Sequence, residues 1–156
     1  MQIEKIKILN EEEIKQIEKI IEKNYGAKIV LSKFSVLKTA EEKIWIASKD
    51  CLKFLSDKLK INLIGLNFGK LKRNDKINLT IEGSQIVGKD VVKNVVYLSE
   101  ITAEKFLKGS DVKPEKEIDC EYHNFVIVKF NEEILGSSLL TEEKLKNLLP
   151  KSRRIF

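Results

Sequence analysis

Few residues of this 156-residue chain have the types and spacing that catalysis or metal binding needs. Glu117, Asp119 and Glu121 alternate within residues 115–121, where four acids face one lysine. Three carboxylates at that spacing are donors for a hard cation, but they are also what an exposed acidic strand edge looks like, and the edge is the plainer reading. Asp111 follows Gly109, and an aspartate just past a helix end ordinarily accepts backbone hydrogen bonds and fixes a turn rather than acting as an acid or base. Gly65-Leu-Asn-Phe-Gly69 has the wrong spacing for a phosphate-cradling loop, and no Gly-Lys-Ser/Thr follows it. The single histidine, His123, has no nucleophile at a diagnostic spacing. Cys51 and Cys120 form no Cys-x-x-Cys pair, so both read as reduced structural thiols and no zinc site is expected. Neither a catalytic residue nor a cofactor is expected.

The chemistry the sequence does offer is recognition of negative charge. The net charge is +5, from 29 basic and 24 acidic residues, so its distribution says more than its size. Lys53, Lys58, Lys60, Lys70, Lys72, Arg73 and Lys76 lie between positions 53 and 76 with only Asp57 and Asp75 against them, a net of +5 in that window alone. The last six residues add Lys151, Arg153 and Arg154 with no acid, and two of the three arginines are that adjacent pair. A rigid guanidinium fork fits phosphate and base edges. Two basic clusters, one in each half, suit a polyanion held by salt-sensitive phosphate contacts, and RNA would add contacts to the 2′-hydroxyl and to unstacked bases. The competing reading is a lysine-rich surface that only solvates a thermally robust protein.

These residues must be positioned by folded elements, and a composition of 42% apolar and 34% charged residues, with seven Gly and two Pro, is that of an ordered globular chain long enough for a real core. No apolar run reaches the length of a membrane span and Met1-Gln-Ile-Glu-Lys is no signal peptide, so a cytoplasmic protein with no membrane partner is expected. Ile6 and Ile8 alternate with lysine in either a strand or an extended arm. Asn10 as N-cap, Glu13 at the capping-box position and Ile14, Ile17, Ile20 and Ile21 on one face predict a helix stopped by Tyr25-Gly26. Residues 27–37 and Lys43–Ala47 predict antiparallel strands around a turn at Thr39–Glu42, and Ser48 caps a predicted helix over 49–59. A strand over 62–71, with a bulge or close approach at Gly65 and Gly69, leads through Arg73–Asp75 to a period-two strand from Lys76 to Ile81. Mixed polarity over 83–93 places a domain boundary there.

The second half starts with a strand over 94–98. Ser99 or Thr102 then caps a helix containing Ala103, Phe106 and Leu107 and ended by Gly109. A hairpin over 125–130 and 133–140 turns at Asn131-Glu132. A short helix is expected over 142–149, stopped by Pro150, and an ordered strand over the basic segment that follows, pinned by Ile155-Phe156.

Phe106-Leu-Lys-Gly-Ser-Asp-Val-Lys-Pro114, followed by Phe125-Val-Ile-Val and Ile134-Leu-Gly136, resembles the PUA domain, a small pseudobarrel of pseudouridine synthases, archaeosine transglycosylases and RNA methyltransferases. In the first half, Lys58-Leu, Leu63-Ile-Gly-Leu-Asn-Phe-Gly-Lys70 and Lys76–Ile81 resemble the Nip7-like ribosome-biogenesis family. The resemblance implies an α+β protein, with an N-terminal α/β pre-PUA domain over residues 1–90 and a small β-rich PUA pseudobarrel over 91–156. It implies RNA as the partner, rRNA first and tRNA second, together with ribosome-assembly or RNA-processing proteins, and no DNA. Carried over residue by residue, it places RNA on Lys151, Arg153 and Arg154, with the loop from Lys108 to Lys113 as the neighbouring wall of a groove; the first-half cations Lys70, Lys72 and Arg73 join the RNA-binding set by charge alone. One departure is Glu115-Lys116, where many PUA domains have a glycine after the proline.

The function expected is therefore a non-catalytic RNA-binding adaptor in rRNA processing and large-subunit biogenesis. The alternatives are a protein-interaction subunit whose basic faces touch no RNA, a stand-alone partner of an RNA-modifying enzyme such as an rRNA or tRNA methyltransferase, and a small RNA-modifying enzyme.

Overall fold

In the computed structural model, which describes residues 6–50 and 65–156, two five-stranded sheets are joined through a short helix and a buried polar node. Strands β1 (Ile6–Ile8), β2 (Ser35–Thr39), β3 (Lys43–Ala47), β4 (Leu66–Lys72) and β5 (Lys76–Leu79) form the first sheet in that order, with every neighbour antiparallel. Helix α1 (Glu11–Tyr25) covers one face. Its capping box is complete: Asn10 Oδ1 accepts the Glu13 N–H at 2.9 Å and the Glu13 carboxylate accepts the Asn10 N–H at 3.1 Å. Gly26 ends it in the left-handed region at φ 70°. Ile14, Ile17, Ile21 and Tyr25 are buried in one core with Val36, Ile44, Ile46, Phe68, Ile77 and Leu79.

The β3–β4 register shifts at Phe68, between the pairs Ile44↔Gly69 and Trp45↔Asn67. This is the bulge expected near Gly69, and a Cβ on Gly69 would lie 2.9 Å from the Asn78 carbonyl oxygen. The extra residue puts both Phe68 and Leu71 toward the α1 side and leaves Asn67, Lys70 and Lys72 on the other face.

Two expectations fail in this half. Residues 27–34 are not a strand: Ala27 and Leu31 are buried in the first core, and the Leu31 N–H goes to the Glu18 carboxylate at 2.6 Å instead of to a neighbouring strand. The period-two strand stops at Leu79 rather than Ile81, because the Thr80 hydroxyl caps helix α2 (Ile81–Val87), accepting the Gly83 N–H at 2.9 Å and donating to the Asn67 carbonyl at 2.7 Å. Gly83 allows the helix to sit on β4, since a Cβ there would lie 2.0 Å from the Phe68 carbonyl oxygen. Residues 51–59 of the helix expected over 49–59, the start of the strand at 62–64, and Cys51, Lys53, Lys58 and Lys60 lie outside the described residues.

The second sheet has the order β10 (Leu145–Lys146), β9 (Glu133–Leu140), β8 (Asn124–Phe130), β6 (Val95–Tyr97) and β7 (Lys116–Ile118), with β6 and β8 parallel and the other neighbours antiparallel. Helix α3 (Glu100–Leu107) fills the parallel crossover, capped by Ser99 and closed by Gly109 at φ 103°. Phe106 packs in a second core with Val96, Val126, Val128, Leu140 and Leu145. The hairpin turns at Asn131 (φ 51°), which supplies the left-handed residue in the absence of glycine.

Two C-terminal expectations also change. Residues 142–149 form no helix: Thr141 accepts the Lys144 N–H in a tight turn, and Leu145 then pairs with Leu140 and bridges Val112. Both Leu145 and Leu149 are buried, so the leucine spacing that suggested a helix is satisfied by a short strand and an extended segment. Lys151–Arg153 form a 3-10 turn, not a strand, and Phe156 is fully exposed. The tail is held by the Ile155 N–H on the Leu107 carbonyl (2.9 Å) and by Arg154, not by its apolar end.

The halves meet at three buried asparagines. Asn24 donates to the Ile20 and Asp75 carbonyls, both at 2.8 Å, and its Oδ1 accepts from Asn124 Nδ2 at 3.2 Å. Asn94 Nδ2 reaches the Asn24 carbonyl, and Asn94 Oδ1 accepts the Glu121 N–H at 3.0 Å. The Val92 N–H on the Tyr25 carbonyl and the packing of Ile127 into the first core complete the junction.

Candidate nucleic-acid interface

The sheet face away from α1 is basic because of its register. Lys43 stands opposite Lys70 across β3 and β4, and Lys72 opposite Lys76 across β4 and β5. Like charges directly opposite one another cost stability. Lys43 is partly relieved by Glu41 at 3.3 Å and Lys76 donates to the His123 carbonyl at 2.9 Å, whereas Lys70 and Lys72 make no ion pair among the described residues.

Against this face lies the C-terminal turn, and between them opens a cavity of about 400 Å³. Lys43, Lys70, Asn67 and Asn78 line it from the first sheet, and Ser137, Leu148, Pro150 and Arg153 from the second half. Arg153 Nη1 is 2.6 Å from a Glu82 carboxylate oxygen, a clip between the halves at the cavity wall. Burial works to raise the Glu82 pKa, but Arg153 and a backbone N–H outweigh it and hold the group below the ordinary carboxylate value.

Two buried side-chain oxygens on residues that line this cavity, Asn67 Oδ1 and Ser137 Oγ, have no hydrogen-bond partner among the described residues. The fully buried Tyr25 phenol, whose pKa burial pushes up, donates to the Ile77 carbonyl at 3.2 Å. The Ser137 hydroxyl lies close enough to temper that rise, without the geometry of a hydrogen bond.

The structure thus brings Lys70 and Arg153, drawn from the two separate basic clusters, to one cavity. Lys72 and Arg73 sit outside it, at the exposed end of the β4–β5 hairpin. Lys151 is exposed on the 3-10 turn. Arg154 is largely structural: its Nε donates to the Leu149 carbonyl at 3.2 Å and its side chain lies where a Cβ on Gly109 would be, 2.7 Å from its Cδ. That contact sets the 108–113 loop beside the C-terminal segment. In the loop, Lys108 pairs with Glu104 at 3.1 Å and Lys113 is exposed without an ion pair among the described residues.

Sequence reasoning did not single out Lys43, Asn67, Asn78 or Ser137. Asn67 carried a visible signal, a polar residue between two glycines of an apolar strand. Ser137 and Lys43 carried none, because only the fold puts them at one cavity.

The other candidates have structural roles. Asp111 accepts the Asn147 N–H at 2.8 Å and pairs with Lys144 at 2.8 Å, and these contacts hold its carboxyl below the usual range. It fastens a distant strand rather than its own turn. Glu115, the departure from the glycine pattern, caps α3 a second time: its carboxylate accepts the Ser99 N–H at 2.8 Å and the Ser99 and Thr102 hydroxyls. Burial alone would raise its pKa, but these donors prevail and lower it. The segment after it is edge strand β7, ended by Asp119 at φ 46°, and no metal-holding cluster occurs among the described residues. His123 lies 2.8 Å from Glu142, both side chains exposed. Cys120 donates to the Val95 carbonyl, and burial pushes its pKa up to about 11.

Family models match both halves: the NIP7/UPF0113 pre-PUA domain over residues 6–81 and the PUA domain of the RsmF methyltransferase over residues 93–155. The chain is a PUA-domain protein with a NIP7-type pre-PUA domain. Its PUA part is the second sheet with α3, curled as a half-barrel, and its pre-PUA part is the first sheet with α1. A crystal structure of a PUA-domain protein from Aeropyrum pernix in complex with tartrate has the same fold, at a TM-score of 0.54 and 8% identity over 95% of this chain and 86% of that one. No curated protein matches the sequence significantly. No helix among the described residues is long and apolar enough to cross a membrane.

Proposed function

We propose that this protein is a non-catalytic RNA-binding adaptor of the cytoplasm, acting in rRNA processing during assembly of the large ribosomal subunit. The observation that carries the reading is the register of the first sheet. It sets lysine against lysine twice on one face, and that face closes on Arg153 of the PUA domain. A protein that bears such a cost gains from a bound polyanion, and a groove shared by the two domains fits an RNA backbone better than a scattered lysine surface does. We place the division between domains near residue 90, between the stretches matched by the two family models. The RNA-facing set is Lys70, Lys72, Arg73, Lys108, Lys113, Lys151 and Arg153, with Arg154 shaping the groove wall. Assembly or processing proteins are the second class of partner.

The test is to crosslink the protein to RNA in living cells and sequence what is bound. Enrichment of large-subunit rRNA supports the reading, and recovery of no RNA above background refutes it. A second reading, partnership with an RNA-modifying enzyme, is favoured by the methyltransferase-type PUA match. Enrichment of tRNA, or co-purification of a methyltransferase, supports that reading over the first.

A further inference from the structure

We propose that the cavity at the junction of the two domains receives a single unpaired nucleotide of the bound RNA, with its base inside and its phosphate against Lys43, Lys70 and Arg153. This rests on the RNA-binding reading and makes it specific: the protein distinguishes a single strand from a duplex. The volume, about 400 Å³, falls within the ~300–1,000 Å³ typical of small-molecule sites.

The lining has the parts a nucleotide needs. Of its cations, Arg153 pairs with Glu82 and Lys43 with Glu41 at 3.3 Å, while Lys70 makes no ion pair among the described residues and leaves the wall positive. Leu148 and Pro150 offer apolar surface to the faces of a base.

The deciding feature is the pair of enclosed oxygens. A buried polar group without a partner costs stability, and here two such groups, unpartnered among the described residues, belong to residues that line the same space from opposite domains. Asn67 presents an amide, the group that pairs with a base edge through a donor and an acceptor together. The Ser137 hydroxyl, on a residue 5% exposed, can donate or accept. Base N–H and carbonyl groups would satisfy both, whereas a simple anion would leave the Asn67 acceptor unmet. A base inside a duplex cannot reach them, because its edge is already paired and stacked.

The experiment is an NMR titration of the isotopically labelled full chain with a single-stranded RNA hexamer and, separately, with a blunt duplex of the same sequence. The hexamer is expected to shift the Asn67 side-chain amide and the Ser137 and Gly69 backbone amides saturably, while the duplex binds without moving them. Asn67→Leu is expected to weaken hexamer binding about tenfold and to change duplex binding less than twofold. Ser137→Ala, a smaller change, should weaken hexamer binding severalfold. Hexamer binding that leaves the cavity resonances unmoved overturns the nucleotide site and leaves the RNA-binding reading standing. Failure of both RNAs to bind overturns that reading and the site with it.

Discussion

Replacing Asn24 by alanine should loosen the whole molecule, because this one side chain ties the pre-PUA domain to the PUA domain. It removes the donor to the Asp75 carbonyl and the acceptor for Asn124 Nδ2, leaving the latter stranded on a residue only 2% exposed. Each stranded buried group costs about 1–3 kcal/mol, and neighbouring losses are not additive, so roughly 2–4 kcal/mol is at stake. Alanine returns about 0.6 kcal/mol through its better helix propensity at the end of α1. The net loss, about 1.5–3.5 kcal/mol, corresponds to a fall in melting temperature of roughly 5–10 °C for a chain of this size. Urea unfolding followed by Trp45 fluorescence and by far-ultraviolet circular dichroism provides the assay. In the wild type the two curves should coincide; in the variant the midpoint should fall. An Asn24/Asn124 double-mutant cycle should return a coupling of about 1 kcal/mol. A loss below about 0.5 kcal/mol with no coupling would refute the claim that this node holds the halves together.

Three further outcomes follow from particular contacts. Gly83→Ala forces a methyl to within 2.0 Å of a backbone carbonyl, so α2 must lift from β4 and stability should drop by about 3 kcal/mol in denaturant unfolding. Glu115 has a lowered folded pKa, so the stability it adds is present above its unfolded pKa of about 4.3 and disappears as pH falls through the lowered folded value. The stability gap between wild type and Glu115→Gln should therefore be open at pH 6 and shrink toward pH 3. With its pKa at about 11, Cys120 should be largely protonated at pH 8, and a disulfide reagent should modify it far more slowly than a free thiol when tested in a Cys51→Ser background.

Where elements are bounded by local chemistry, the sequence shows them. Asn10 and Glu13 start α1 and Gly26 stops it; Ser99 and Gly109 do the same for α3; and the β2–β3, β4–β5 and β8–β9 hairpins turn where expected. The misses are places where a distant contact overrides local pattern. Residues 27–31 have strand propensity but no neighbouring strand, and Glu18 takes the amide that would have joined one. Leucines 145 and 149 keep a helical spacing, yet Val112 and Leu140 recruit the first of them into a sheet. Helix α2 was hidden because Ile77, Leu79 and Ile81 alternate as a strand does. The fold needs Gly83 beneath it and Thr80 before it, and neither stands out without β4 in view.

The site was legible by charge and illegible by geometry. Lys70 and Arg153 were visible as members of two clusters, but no local rule says that residues 83 apart in the chain share a cavity. Changing Arg153 and Arg154 together would disturb the Glu82 clip and the Leu149 hydrogen bond as well as any RNA contact, so that pair cannot separate binding from stability. Lys70 and Lys151 can, since neither makes an ion pair among the described residues.

The central claim, an RNA surface spanning both domains, is tested most directly by the salt dependence of single-stranded RNA affinity in Lys70→Ala, Lys151→Ala and their double variant, with Lys15→Ala on the outer face of α1 as control. Removing one lysine from a phosphate should lower the slope of log affinity against log salt by about 0.7, so the double variant should drop by about 1.4 and the control not at all. Slopes unchanged in all four variants, or lowered as much by Lys15→Ala as by Lys70→Ala, would contradict it.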